Sequence, residues 1–222
     1  MTVEEFSNQF DLAIDGYGLE INEYDKSVYL TQAQENICRA LYSNQATGDG
    51  FESDERMRRY IDNLVTEEEL KLTDASLMIE RKDNGYLAVT ADIPKDLWFV
   101  VYESAISSKN TNSEIIVVPV RVDDYWRTMR NPFKRPNHNK ALRIDNGNGT
   151  FKLVSKDPLN KYVVKYLKRP DPIILIDLPD GLLIRDKNKQ NTCELNTALH
   201  SLILDAAVKL FLSTRVKQSS DV

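Results

Sequence analysis

The densest collection of side chains able to do chemistry lies in residues 121–143. Arg121, Arg127, Arg130, Lys134, Arg135, Lys140 and Arg143 stand there against only Asp123 and Asp124, with Tyr125, Trp126, Phe133 and two prolines interleaved. Guanidinium forks suit phosphate and carboxylate equally. Such a loop therefore touches nucleic acid or the acidic surface of a protein, unless it is a solvated loop whose aromatics anchor it to the body of the fold. Of the two binding readings a protein interface ranks first. The chain as a whole carries a net charge of −5, and aromatics with arginine typify interface hot spots.

Catalytic chemistry finds little support. His138 and His200 are the only histidines, and neither has a second ligand at metal-binding spacing. No serine or cysteine pairs with a histidine in a recognisable nucleophile arrangement. Gly16-Tyr17-Gly18 and Gly147-Asn148-Gly149 lack the lysine and the strand–helix setting of a phosphate loop. The acidic run 66–69 reads as a solvated helix start rather than a cation site. No catalytic residue, cofactor or metal is expected, and the chain is not expected to be an enzyme. Cys38 and Cys193 read as reduced packing residues.

The elements that would carry the basic segment follow from periodicity. Thr2 and Glu5 form a capping box, with Phe6, Phe10, Ala13 and Ile14 as the apolar stripe of a first helix and Gly16 and Gly18 ending it. A second helix starts near Asp25 with Leu30, Ala33, Ile37, Ala40 and Leu41 on one face, and a third follows Ser53. Near Leu72 the period becomes strand-like. A hairpin is expected around Asn84-Gly85, strands over 97–102 and 114–121, a short helix over 123–130, and a second hairpin around Asn146–Gly149. Strands over 162–167 and 173–176 bring the number to about seven. Asn196 or Thr197 caps a final helix whose apolar face is Leu199, Leu202, Ile203, Ala206, Leu210 and Phe211. The loops 43–50, 107–113 and 186–192 look able to order only on assembly.

The expected fold is α+β, with a helical bundle formed by both chain ends and an inserted antiparallel β portion. The parts are an N-terminal helical region, 1–71, the β insertion, 72–185, and a C-terminal helix, 186–222, packing on the first helices. No signal peptide is expected from the start of the sequence. Its longest purely apolar runs are far below the roughly 20 residues that span a bilayer, so a soluble chain is expected.

Several of these segments resemble one family. Phe6-Ser-Asn-Gln-Phe-Asp11, residues 22–35, residues 126–143 around Asn131-Pro-Phe-Lys-Arg-Pro136, Tyr166-Leu-Lys-Arg-Pro170 and Cys193-Glu-Leu-Asn196 are similar to virion structural proteins of crAss-like phages of gut bacteria. Within that group the resemblance is to ring proteins beneath the portal in the head–tail connector. It implies a short-tailed particle in which a helical adaptor-like body with a β insertion forms a homo-oligomeric ring of twelve copies. The ring would contact the portal protein and other tail ring proteins, and DNA would pass through its channel without sequence-specific binding. It implies a virion location after synthesis in the bacterial cytoplasm, no membrane and no catalytic residues. For the contacts themselves, residues 121–143 are the candidate. Trp126 and Phe133 would be apolar anchors, Arg127, Arg130 and Arg135 charged partners, and Lys140 would lie at the same interface. The alternative is a nucleic-acid-binding module that uses this loop on phosphate, marked by a steep loss of binding with salt.

Overall fold

A computed structural model describes residues 1–43, 59–73, 85–109, 114–179 and 181–220. The start of the third helix, the first strand of the hairpin at Asn84-Gly85 and most of the loops 43–50 and 107–113 lie outside them. The chain divides into two units, Met1–Leu64 with Arg169–Val222, and Val65–Lys168. Helices and strands together make it α+β.

The first unit contains α1 (Val3–Asp15), α2 (Glu23–Ser43) and, after Tyr125–Arg130 (α3) in the other unit, α4 (His200–Ser220). The capping box is present: the Thr2 hydroxyl accepts from the Glu5 amide and the Glu5 carboxylate from the Thr2 amide. Val3, Phe6, Phe10 and Ile14 are buried, while Ala13 points to solvent. Helices α1 and α2 both pack on α4. Phe10 and Tyr29 meet the Phe211 ring at 6.2 and 5.6 Å, and Phe6 meets His200 at 5.4 Å. The stretch Thr197–Arg215 is long and apolar enough, by length and composition alone, to cross a membrane. Here Leu199, Ile203, Leu204, Ala207 and Phe211 are buried, so it serves as a core helix. Leu202, expected on the buried face, is 54% exposed.

Buried Lys26 ties α1 to α2. Its ammonium donates to Asp11 and Glu23 at 2.6 Å each and to Ser7 at 3.0 Å, so all three protons are satisfied. Cys38 and Cys193 are both free and buried. Burial pushes the Cys38 thiol up to about 12 and the Cys193 thiol up to about 11, the environment of an inert packing cysteine.

Residues 173–176, expected to form a strand, belong to no strand. This proline-bracketed segment lies along α2, whose buried face is partly polar, and α2 side chains together with a single backbone bridge to Asn191 satisfy its backbone in place of a neighbouring strand. The Ile173 amide donates to the Thr31 hydroxyl, which donates back to the Ile173 carbonyl (3.1 and 3.2 Å). The Leu175 amide donates to Ser27 Oγ at 3.0 Å, and Gln34 donates to the Asp171 carbonyl at 2.8 Å. Glu35 holds Arg169 at 2.6 Å, and also Arg185 and Arg39. Ser27, Thr31, Gln34 and Glu35 recur at helical spacing, so one stripe reads the whole segment. The region 186–192 is not loose either. Arg185 and Asp186, at φ 50° and 61°, are the central pair of a tight turn closed by reciprocal bonds between Ile184 and Lys187. Asn191 pairs with Ile174 through both backbone groups.

The second unit is an eight-stranded sheet in the order β1-β8-β4-β5-β6-β7-β3-β2. The strands are β1 (Val65–Leu70), β2 (Leu72–Thr73), β3 (Leu87–Asp92), β4 (Leu97–Ser107), β5 (Glu114–Pro119), β6 (Lys140–Asp145), β7 (Thr150–Ser155) and β8 (Leu159–Lys168). Two features correct the sequence reading. Residues 65–70 form a strand rather than the solvated helix start expected there: β1 pairs with β8, with Glu67 3.6 Å from Lys165 and Glu69 3.0 Å from Lys161. The sheet is also not wholly antiparallel, because β5 and β6 run parallel. The hairpin between β6 and β7 is as expected, with Gly147 and Gly149 at φ 73° and 79° in its turn. One face of the sheet buries Ala105, Val117, Ala141, Phe151, Tyr162 and Val164, and the other buries Leu142, Ile144 and Val154.

Candidate interface on the crossover between β5 and β6

Parallel neighbours cannot be joined by a tight turn; they need a crossover of a dozen or more residues. The chain between Pro119 and Lys140 is that crossover, which explains why the basic segment is long. Its centre is α3. Tyr125 and Met129, four residues apart, are buried on Leu142, Ile144 and Val154. That anchoring turns Trp126, Arg127 and Arg130 outwards, with Trp126 55% exposed.

After α3 the loop is held by its own asparagines. Asn131 Oδ1 accepts from the Phe133 amide at 2.9 Å, and the Asn131 carbonyl accepts from the amides of Lys134 and Arg135. Asn137 closes a turn onto Lys140 through both backbone groups and accepts the Asn139 amide on its side chain. Phe133 is thereby fixed on the surface with 90% of its area exposed. Lys140, the first residue of β6, donates to the Phe133 carbonyl at 2.9 Å and so braces the loop. Arg135 is exposed beside it. The structure thus brings Trp126, Arg127, Arg130, Phe133, Arg135 and Lys140 onto one connection.

Arg143 does not join them. It lies on β6, 14% exposed at its side chain, with its guanidinium 4.4 Å above the Phe151 ring and Nε 3.1 Å from Glu103. His138 departs from the patch too. Its Nδ1 lies 2.5 Å from Asp157, which also accepts from Lys109 at 2.9 Å, and these partners hold the Asp157 carboxyl below the usual carboxylate range.

Between the end of β5 and α3 lies an open cleft of about 370 Å³ lined by Arg121, Asp124, Arg127, Asn131 and Lys134, among others. Arg127 reaches Asp124 at 3.3 Å and Arg121 reaches Asp123 at 3.4 Å. Both pairs are exposed and bind weakly, leaving the guanidiniums available for exchange onto another acid. Among the described residues no group of three histidine, cysteine or carboxylate side chains is placed to hold a metal. The sequence reading missed the polar stripe on α2 and the Glu103–Arg143 pair; the spacing of Ser27, Thr31 and Gln34 was the available signal for the first.

The crossover thus presents exposed aromatic and cationic side chains on a connection that the parallel pair requires. Comparison with known proteins gives the family. The chain belongs to the phage tail ring protein 3/4 family, which it matches over residues 1–221. It is 36% identical to Ring protein 3 of Bacteroides phage crAss001, over 98% of this chain and 97% of the relative. It is 32% identical to Ring protein 4/5 of the same phage, over 95% and 92%. The resemblance to crAss-like phage ring proteins therefore holds, and with it a structural role in the phage tail as a component of the virion.

Proposed function

We propose that the chain forms a homo-oligomeric ring of twelve copies in the head–tail connector of a short-tailed phage, extending the DNA channel below the portal. Helices contributed by both chain ends form an adaptor-like body, and the β unit supplies contacts to neighbours. DNA slides through without being read, in keeping with the net charge of −5. The observation that carries the reading is the crossover. Phe133 and Trp126 remain 90% and 55% exposed although the loop around them is well bonded. Large exposed aromatics flanked by arginines are what a partner buries. Trp126 and Phe133 act as anchors, with Arg127, Arg130 and Arg135 as charged partners and Lys140 setting the loop.

Light scattering on the purified protein, alone and mixed with the portal of the same phage, tests this. Ring-sized particles or stoichiometric capture by the portal is the expected result. A monomer that ignores the portal and instead binds DNA in a strongly salt-dependent way would overturn it.

A further inference from the structure

The first 25 residues contain seven carboxylates and no lysine, arginine or histidine. Part of this charge is used internally, since Asp11 and Glu23 neutralise Lys26 and the Glu5 carboxylate caps α1. Of the others, Glu4, Asp15 and Glu20 are exposed. Glu4, Asn8, Leu12 and Asp15 follow one another at four, four and three residues, so they form one stripe on α1, and all four are exposed. Leu12 is 75% exposed, Tyr17 just beyond the helix 63%, and Glu20 is exposed as well. An acidic surface with two apolar anchors is the complement of the crossover, which has exposed arginines and lysines, two apolar anchors and a cleft lined by Arg121, Arg127 and Lys134.

We infer that the occupant of the crossover is a second copy of this chain: Leu12 and Asp15 at the end of α1, with Tyr17 and Glu20 in the segment that follows it, dock on Trp126, Phe133 and the basic cleft. This rests on the ring reading above and gives it a specific contact. Two different surfaces meet, so the contact is heterologous. Each copy keeps one free surface of each kind, and the array grows until rotation closes it into a ring. Opposite charge sets partner and register, while the aromatics and Leu12 supply the apolar burial.

The experiment uses two full-length variants, Asp15→Lys/Glu20→Lys and Arg127→Glu/Lys134→Glu, each checked for folding by circular dichroism. Self-association is read by light scattering at low and high salt. Wild type is expected to assemble, more weakly at high salt, and each variant alone to lose association more than tenfold, because its two surfaces now carry like charge. Mixed in equal amounts they are expected to assemble again. One type of contact in the mixture is native and the other is charge-swapped, giving alternating copies. A wild type that stays monomeric at low salt would overturn this contact, and the ring reading would fall with it only if that monomer also ignores the portal. A wild type that assembles while both variants also assemble would overturn the contact alone. Loss of assembly without recovery on mixing would overturn the pairing of these two surfaces, because the crossover would then meet some other part of the neighbouring copy. Retention of duplex DNA by wild type but not by Arg127→Glu/Lys134→Glu, again without recovery, would assign it to nucleic acid.

Discussion

Glu103 on β4 and Arg143 on β6 meet across the intervening strand β5, with Arg143 Nε 3.1 Å from a carboxylate oxygen that also accepts the Tyr162 hydroxyl at 2.6 Å. Nε lacks hydrogen-bonding geometry to that oxygen, so the attraction is mainly Coulombic. Burial raises the Glu103 carboxyl above its ordinary range, opposed by Arg143 and the Tyr162 hydroxyl. A buried carboxylate tolerates this only while its counter-charge remains.

Arg143→Met is therefore expected to destabilise the protein by about 3–5 kcal/mol, because it leaves an uncompensated buried charge. Tyr162→Phe removes one charge-assisted bond and should cost about 1.5–3 kcal/mol. The sign with pH is fixed by the raised Glu103 value. The folded state holds this proton more tightly than the unfolded state, so the Arg143→Met defect should shrink on acidification towards the unfolded carboxylate pKa. Urea titrations of both variants at several pH values check this.

The polar stripe of α2 gives a second prediction. Thr31→Val keeps the shape of the side chain but strips partners from both the amide and the carbonyl of buried Ile173. A loss of about 1–3 kcal/mol per unsatisfied group is expected. Hydrogen exchange should show earlier opening at Ile173 and Leu175, with α1 unchanged. Equal exchange in variant and wild type would mean that the Thr31 bonds do not hold the segment.

These two sites show where reading the sequence succeeds and where it fails. The α1 capping box and the Phe6–Phe10–Ile14 stripe were legible because cap and period are local signals. The β6–β7 turn was legible because its glycines take positive φ. By contrast, α2 buries Ser27, Thr31, Gln34 and Glu35, which sequence patterning assigns to solvent; only the segment lying on them makes that burial affordable. Residues 65–70 favour helix by composition, yet β8 supplies cross-strand lysines that settle them as a strand. Residues 173–176 look like a strand because an extended, apolar segment has the same signature whether a strand or a helix side chain satisfies it. The basic segment was legible as a candidate surface, but its cause, a parallel pair requiring a crossover, is a long-range fact.

Asp157 carries a pH-dependent link between the crossover and the β7–β8 turn. Lys109 and His138 bond its carboxylate and hold its proton affinity down. A depressed folded value means that this stability is present above the ordinary carboxylate pKa of about 3.9 and is lost as pH falls through the folded value. Asp157→Asn should flatten the acid limb of the stability profile while changing stability at pH 7 in the destabilising direction. Thermal melts from pH 3 to pH 7 would show it; an unchanged acid limb would remove Asp157 from the account.

Trp126 and Phe133 separate folding from assembly. Both side chains are largely exposed, whereas Tyr125 and Met129 anchor the same helix. Phe133→Ala should therefore change unfolding free energy by no more than about 0.5 kcal/mol, as surface substitutions do, and Trp126→Ala by more, since its ring also packs edge-on to Tyr125 at 5.3 Å. Their effect on self-association or portal capture should be large, since truncating an interface anchor commonly costs about 2 kcal/mol or more, some thirtyfold in affinity. Met129→Ala is the control with the opposite pattern, expected to lower stability by about 2–5 kcal/mol through loss of buried packing. Denaturant titration and sedimentation velocity on the three variants give both readings. Trp126→Ala and Phe133→Ala proteins that assemble as well as wild type would show that the crossover is only a solvated connection.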